Sequence, residues 1–461
     1  MRALRSLVFV IALATPAFSL AQDGDPQAAQ DAASSASPVG ESATAPQGGQ
    51  SAPQSPQGAT PTAPANPTLE NSVDAGISQE APRRQLVRWN EYRGPYFTIR
   101  FGAGLLVDVA AYSQDAQSKK QVATTPGQAI RDFRFILGGG FPSFNRSVTW
   151  CAGIMYDAAS TKSWLIRQTG VMIAFPKLWG NIFFGRQKEG FSLNKVMTGY
   201  DGWTLERSTM NDATIPILAD GIRWLGYSPK HGFLWNLGWF NDFLSKNQSF
   251  STYHNQSVAR LAWLPIHSEE DGTLLHLGVN LRYGSPEGGQ IRMRSRPEVF
   301  PDAPYFVDTG SFRAAATRMA GPEIYYRNKN WMFGTEYWFV GTSAPSKGDP
   351  VFHGGDAVVS WMITGEIRPY NTVGGFFREI SPKKTVFQGG VGGWELVFRI
   401  SYIDLDSRGI HGGEFRRFTP MMNWYLSDNA RLAVAYGYGQ LDRFGLHGNT
   451  QFFQTRLQLV F

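Results

Sequence analysis

Residues 97–109 read FTIRFGAGLLVDV, and every odd position of the run is apolar: Phe97, Ile99, Phe101, Ala103, Leu105, Val107 and Val109. Thr98, Arg100, Gly102 and Asp108 sit between them. Period-two alternation puts the apolar set on one face of an extended strand. A sandwich strand of a soluble domain seldom sustains it over so many residues, whereas a strand crossing a bilayer at a tilt needs ~9–11.

The same pattern recurs through the chain. In LLHLGVNLRY, Leu275, Leu277, Val279, Leu281 and Tyr283 share a face opposite His276, Gly278, Asn280 and Arg282. In GGWELVFRISYI, Trp394, Leu396, Phe398, Ile400 and Tyr402 oppose Glu395, Arg399 and Ser401. The chain ends on FFQTRLQLVF, with Phe453, Leu457, Leu459 and the terminal Phe461 on one face. A terminal aromatic on an alternating strand resembles the signal that the barrel-assembly machinery reads, so Phe461 is the expected assembly signal.

Composition agrees. Aromatics make up 14% of the chain, glycine numbers 50 residues and charged residues reach only 17%. Aromatic-rich, glycine-rich sequence without long apolar runs is the signature of a membrane β-barrel, in which only alternate residues meet lipid. Candidate strands fall near residues 97, 131, 147, 164, 180, 221, 232, 256, 273, 318, 331, 356, 391, 414, 430 and 450. The expectation is an all-β fold, a sixteen-stranded antiparallel transmembrane barrel with long extracellular loops. With both termini in the periplasm, short turns are expected at 229–231, 328–330 and 427–429, and loops at 110–130, 189–220 and 285–317. The stretch 368–390 breaks that rule, being long on the periplasmic side. It carries a local structure of its own, or else the strand count omits a hairpin. A barrel this wide leaves a water-filled lumen unless loops fold inward.

Two segments precede the barrel. Residues 1–21 place Arg2 and Arg5 before an apolar stretch, Leu7 to Leu13, and end on Ser19-Leu20-Ala21, which reads as a signal peptide with Gln22 as the first mature residue. Residues 22–85 open on an Ala/Pro/Gln/Ser-rich stretch that cannot bury enough apolar surface to fold, and are expected to be a disordered periplasmic extension. The barrel domain is then 86–461. Cys151, the single cysteine, excludes an intrachain disulfide framework.

Charge points to anions. Setting aside four arginines and seven acids before residue 86, the barrel holds 39 basic against 30 acidic groups, a bias that favours an anionic partner. By parity, Arg100, Arg134, Arg260, Arg282, Arg399 and Arg456 point into the lumen, against Asp108, Glu336 and Glu395. In the expected fifth loop, Arg292, Arg294 and Arg296 occupy alternate positions, which in extended chain sets their guanidinium groups in a row ~6.6 Å apart. Alone, such a run reads best as a solvated basic loop. In the loop of a barrel already lined by arginine it reads as a ladder, whose planar forks match oxyanions and let an ion pass between similar sites.

The segments GRQKEGFSLNKVMTGYDGWTLER (185–207), GGWELVFRISYIDLD (392–406) and MMNWYLSDNARLAVAYG (421–437) resemble the phosphate-selective porin O and P family, with Gly190 where proline would be expected. The resemblance spans roughly residues 95–461. It implies a homotrimer of sixteen-stranded outer-membrane barrels, each narrowed by inward-folded third and fifth loops and conducting phosphate-like anions past arginines. Lys188, Lys195 and Arg207 are the third-loop candidates, crowded by Glu189, Asp201, Glu206 and Asp212.

The expected function is therefore passive diffusion of phosphate or related oxyanions across the Gram-negative outer membrane, with outer-membrane lipid around the barrel. No cofactor, metal or nucleic-acid partner is expected. The alternatives are a general or organic-anion porin, a lipid-hydrolysing barrel enzyme and a purely structural envelope protein. For the enzyme, His276 and Asn280 share a lumen face but no nucleophile stands with them. A histidine on such a face is most simply read as solvated.

Overall fold

The computed structural model describes residues 90–461 except 142–143, 145–146, 158–162, 217, 242–252 and 301–302. The expected signal peptide (1–21) and the expected extension (22–85) lie outside the described residues.

Sixteen strands form the wall: β1 Thr98–Gln114, β2 Gly127–Gly140, β3 Val148–Asp157, β4 Ser163–Phe175, β5 Gly180–Gln187, β6 Ala219–Ser228, β7 Phe233–Asn241 and β8 Tyr253–Ser268. The second half comprises β9 Thr273–Pro286, β10 Thr317–Asn328, β11 Trp331–Thr342, β12 Val351–Met362, β13 Gly393–Ser407, β14 Ile410–Tyr425, β15 Ala430–Arg443 and β16 Leu446–Val460. Each pairs antiparallel with the next in sequence, and β16 returns to β1 in the register Gly104↔Val460 through Gln114↔Thr450. Closure leaves no sheet edge, the condition for crossing a bilayer with strands. A short strand, Glu91–Arg93, pairs with Thr98–Arg100 beside the point where β16 ends.

Alternation sorts the wall as the sequence predicts. Val109, Val279, Leu281, Phe398, Ile400 and Phe453 are exposed outward, while Asp108, His276, Asn280, Arg399, Gln454 and Arg456 are buried inside. At the end carrying the termini, outward aromatics stack across neighbouring strands: Trp331 on Trp361 at 5.2 Å and Trp394 on Trp424 at 4.9 Å between ring centroids. Such a belt suits the membrane–water interface.

The core lies inside the barrel and is supplied by connections. At the end opposite the termini, the third connection, L3 (188–218), carries α1 Leu193–Val196 and α2 Thr209–Thr214. The fifth, L5 (287–316), carries two two-residue ladders, Gln290–Ile291 with Phe312–Arg313 and Arg294–Ser295 with Val307–Asp308. Phe191, Met210 and Ile215 of L3 join Ile291, Met293, Val299 and Phe306 of L5 against Trp338, Phe352, Phe415 and Phe452 of the wall. The last two connections at this end are only two residues long, Arg408–Gly409 and Phe444–Gly445.

The long connection between β12 and β13 (363–392) does carry its own structure. Tyr370–Asn371 and Phe376–Phe377 form a small hairpin, and the strand count stands. This hairpin packs into the lumen, where Tyr370, Phe376 and Phe377 cluster with Leu193, Trp203 and Leu205 of L3.

Candidate functional site

L3 is strung across the lumen between two chemically different walls. On one side the start of its first helix presents amides to two carboxylates and a carboxamide: Leu193 N donates to Glu323 Oε2 at 2.9 Å, Asn194 N to Glu336 Oε1 at 2.8 Å, and Ser192 N to Asn280 Oδ1 at 2.7 Å. Exposed N–H groups at a helix start are natural partners for carboxylates. On the other side, the wall donates to L3 carbonyls. Arg431 Nη1 reaches Gly202 O at 2.6 Å, Asn423 Nδ2 reaches Trp203 O at 2.9 Å, Gln458 Nε2 reaches Tyr200 O at 3.1 Å, and Arg399 Nη1 reaches Glu206 O at 2.7 Å. Gly104 makes room for this crossing, because a Cβ there would lie 2.0 Å from the Tyr200 hydroxyl.

The parity-assigned arginines divide by what they hold. Arg456 forms a bidentate pair with Asp108, both contacts 2.6 Å, and donates to Leu205 O. Arg399 pairs with Glu298, Arg134 with Asp132 at 2.7 Å, and Arg282 with Glu189 at 3.2 Å while reaching Thr214 O at 2.6 Å. Arg260 pairs with Glu323 at 2.7 Å and donates to the carbonyls of Gly374 and Gly375, tying down the inserted hairpin. Arg100 stays half-buried on the lumen face of β1. In L3, Lys188 Nζ donates to Met197 O at 2.7 Å, Lys195 Nζ to Ile215 O at 3.1 Å, and Arg207 Nη2 to Met197 O at 2.8 Å. Phe461 lies outward, its backbone paired with Ala103.

His276 is not solvated, contrary to the reading from sequence. It is fully buried, with Nε2 2.7 Å from Glu323 Oε1 and Nδ1 2.6 Å from Tyr370 Oη of the inserted hairpin. The connection that reaches it comes from 94 residues away, which a strand-by-strand reading does not foresee.

The L5 row does share one side. Ile291, Met293 and Ser295 are buried, while Arg292 is 46% exposed and Arg294 and Arg296 are half-buried. Aromatic faces space the guanidinium groups: Arg294 lies 4.1 Å and Arg296 4.9 Å from the centroid of Tyr305, and Arg131 lies 4.5 Å from that of Phe300. At the outer end Arg292 grips Asp308. Burial would raise the Asp308 carboxyl, but this contact and the Gly310 amide outweigh it and hold the group below its ordinary range.

The inner end of the row opens on a small cavity lined by Arg131, Arg207, Arg296, Glu206, Asp212 and Glu298, with Val299 and Phe300. Asp212 accepts from Ser295 Oγ at 3.1 Å and Arg296 N at 3.3 Å, joining L3 to L5. Glu298, at φ 62°, accepts from Thr209 N at 3.1 Å and from Arg399. Glu206 accepts from Arg131 Nε at 2.8 Å and Nη2 at 3.0 Å and from Arg456 Nη2 at 2.5 Å. Burial pushes the Glu206 carboxyl up, but Arg131 and Arg456 overcome it and bring it down to about 2.

Arg131 escapes the parity reading. A β-bulge shifts the β1–β2 register between Leu106 and Val107, so Arg131 and Asp132 are both buried. A bulge places two successive side chains against one partner residue, and parity counted from Arg134 assigns Arg131 to lipid. Arg417 and Arg431 were legible by parity on β14 and β15 and belong with the L5 and L3 anchors, Arg417 donating to Pro297 O of L5 and Arg431 to Gly202 O of L3.

The phosphate-selective porin O and P family matches residues 100–461. Porin O of Pseudomonas aeruginosa is 24% identical over 234 residues, 44% of this chain and 52% of that protein. An uncharacterized protein of Caulobacter vibrioides is 28% identical over 168 residues, 36% of this chain and 34% of that protein. The chain thus spans a third to a half of the length of these curated relatives. Among solved structures, an anion-selective porin from Comamonas acidovorans covers 79% of this chain and 100% of its own at 12% identity and a TM-score of 0.48. The outer-membrane channel DcaP of Acinetobacter baumannii covers 79% and 98% at 9% identity and a TM-score of 0.49. A family match over most of the chain, on a closed sixteen-stranded barrel, shows that the chain belongs to the phosphate-selective porin O and P family.

Proposed function

We propose that this porin is anion-selective and carries phosphate or related oxyanions by passive diffusion. The observation that supports this best is the L5 row: Arg292, Arg294 and Arg296 face one way, lose exposure inward and end at a cavity where Arg131 and Arg207 join Arg296. Arg100 on β1 and Arg134 on β2 continue the basic lining, Arg134 pairing in register with Gly104 and Arg100 with Gly138. Guanidinium forks spaced along a water path in a low-dielectric wall attract oxyanions and repel cations, and several similar sites avoid one deep well. Arg260, Arg282, Arg399, Arg456, Lys188 and Lys195 contribute positive potential while securing loops.

An organic-anion porin is the second reading. It draws on the faces of Tyr305 and Phe300 that alternate with the arginines, since an anion with a flat apolar body gains from them. The reading includes assembly as a homotrimer, export by the 1–21 signal peptide, residues 22–85 as a periplasmic extension ahead of the 86–461 barrel, and Phe461 as the assembly signal.

Planar-bilayer recording tests the proposal. Chloride conductance should be anion-selective and blocked by micromolar to millimolar phosphate, and Arg292→Ala/Arg294→Ala/Arg296→Ala should weaken the block. Cation preference, or conductance indifferent to phosphate, would overturn the phosphate reading.

A further inference from the structure

We infer that Glu206 is a specificity-determining residue, a tethered carboxylate that occupies the arginine site at the inner end of the L5 row and competes there with the permeating anion. The inference rests on the anion-channel reading above.

The three acids of the cavity are not equivalent. Asp212 accepts from a hydroxyl and a backbone amide of L5, and Glu298 accepts from a backbone amide of L3 as well as Arg399. Both therefore stitch one loop to another. The Glu206 side chain, among the described residues, accepts from guanidinium groups only, Arg131 through two nitrogens and Arg456 through one. Two-point contact between an arginine fork and two oxygens of a carboxylate is the geometry a phosphate would adopt. The carboxylate faces the cavity that also receives Arg207 and Arg296 and retains 15% exposure.

An incoming oxyanion meets a site whose best donors already hold an anion. It must share Arg131 with Glu206 or displace it, and either way it feels a like charge a few ångströms off. Residence at this rung is shortened, which favours flux over tight capture. The tether also explains why a porin with so many inward arginines need not trap multivalent anions. With the Glu206 carboxyl held near 2 by its partners, the competitor stays charged at any pH an envelope meets.

The test is Glu206→Gln in the full-length porin, recorded in planar bilayers with inorganic phosphate titrated into chloride. Glutamine keeps an acceptor oxygen for Arg131 and removes the charge. The half-blocking phosphate concentration should fall on the order of tenfold, as expected for deleting a like charge a few ångströms from the site at intermediate dielectric. The reversal potential should move further toward anion selectivity. Glu206→Asp, which shortens the tether but keeps the charge, should tighten the block by a smaller factor.

A wild-type porin that is anion-selective, with phosphate block unchanged or weakened in both variants, would overturn the inference and leave Glu206 as a latch for L3. Higher chloride conductance without tighter block would do the same, since a loosened loop alone gives that result. A wild-type porin without anion preference would instead overturn the reading on which the inference stands. Should the glutamine variant fail to fold, shown by loss of heat-dependent gel mobility, an aspartate variant with wild-type block would suffice to overturn it.

Discussion

Replacing Arg456 by methionine should both destabilise the barrel and open it. Its guanidinium makes the two 2.6 Å contacts to Asp108, one 2.5 Å contact to Glu206 and a bond to Leu205 O, with 2% of the side chain exposed. Methionine fills similar volume but leaves Asp108 a buried carboxylate without its cation. Removing one partner of a buried pair costs about 3–5 kcal/mol, and stranding the Leu205 carbonyl adds roughly 1–3 kcal/mol if water does not reach it. Water entry from the lumen relieves part of this, so a loss of about 3–5 kcal/mol is expected overall. The assay is urea unfolding in lipid vesicles, run as a cycle with Asp108→Asn. The double variant removes the orphaned charge and should recover most of the loss, with a coupling of at least about 2 kcal/mol. Single-channel conductance should rise in Arg456→Met because L3 is freed over residues 205–206. A cost below about 1 kcal/mol, or additive single losses, would refute the claim that this arginine latches the loop.

Several other perturbations probe different parts of the site. Gly104→Val should displace Tyr200, whose hydroxyl lies 2.0 Å from where a Cβ would stand; conductance should change, and pairing it with Tyr200→Ala should restore a wild-type barrel stability by urea titration. Tyr370→Phe removes the 2.6 Å contact to His276, a loss of about 1 kcal/mol, and should speed amide hydrogen exchange over residues 370–377 with the wall strands unaffected. Arg131→Gln should weaken phosphate block despite its lipid-facing parity; an unchanged block would place Arg131 outside the path. For pH, the Glu206 carboxyl is lower in the folded porin, about 2 against an ordinary 4.5. Its stabilising contacts are therefore complete above about 4.5 and lost as pH falls toward 2. Chloride conductance should stay level from pH 8 to 4.5 and drift only below; a step between pH 7 and 5 would point to another group.

The wall was legible because one physical rule governs it. Lipid outside and a polar lumen inside force period-two alternation, and a strand such as 97–109 displays it without help from distant residues. The turn at 328–330 was legible for a related reason: the two-residue reversal Lys329–Asn330 separates two alternating runs, with left-handed backbone at Lys329, φ 53°. What fills the barrel was less legible. Nothing in the period of residues 363–392 says that Tyr370 meets His276, or that Arg368 donates to the Asp201 carbonyl of L3 at 3.0 Å. Those contacts are set by inward folding of connections, which leaves no local periodicity.

Parity also answers only half of the question about charge. It says that Arg399 and Arg456 point inward; it does not say whether they meet water, an ion or a carbonyl. In this barrel they meet Glu206 O and Leu205 O, so a lumen-facing arginine can serve as a loop anchor. Conversely the bulge at Arg131 carries a cation across the parity boundary and into the cavity with Arg296. The two facts have one cause. A wide barrel must be narrowed by loops to select among small ions, and loops held in a lumen need donors for their carbonyls, since backbone groups out of contact with water must be paired. Arginine supplies those donors and the positive field together. Under the proposed function, the residues that would attract an anion are also those that hold the loops in the lumen, and charge counts alone cannot separate the roles. Variants that remove a guanidinium while sparing its carbonyl partner, read by block and by unfolding in parallel, separate them.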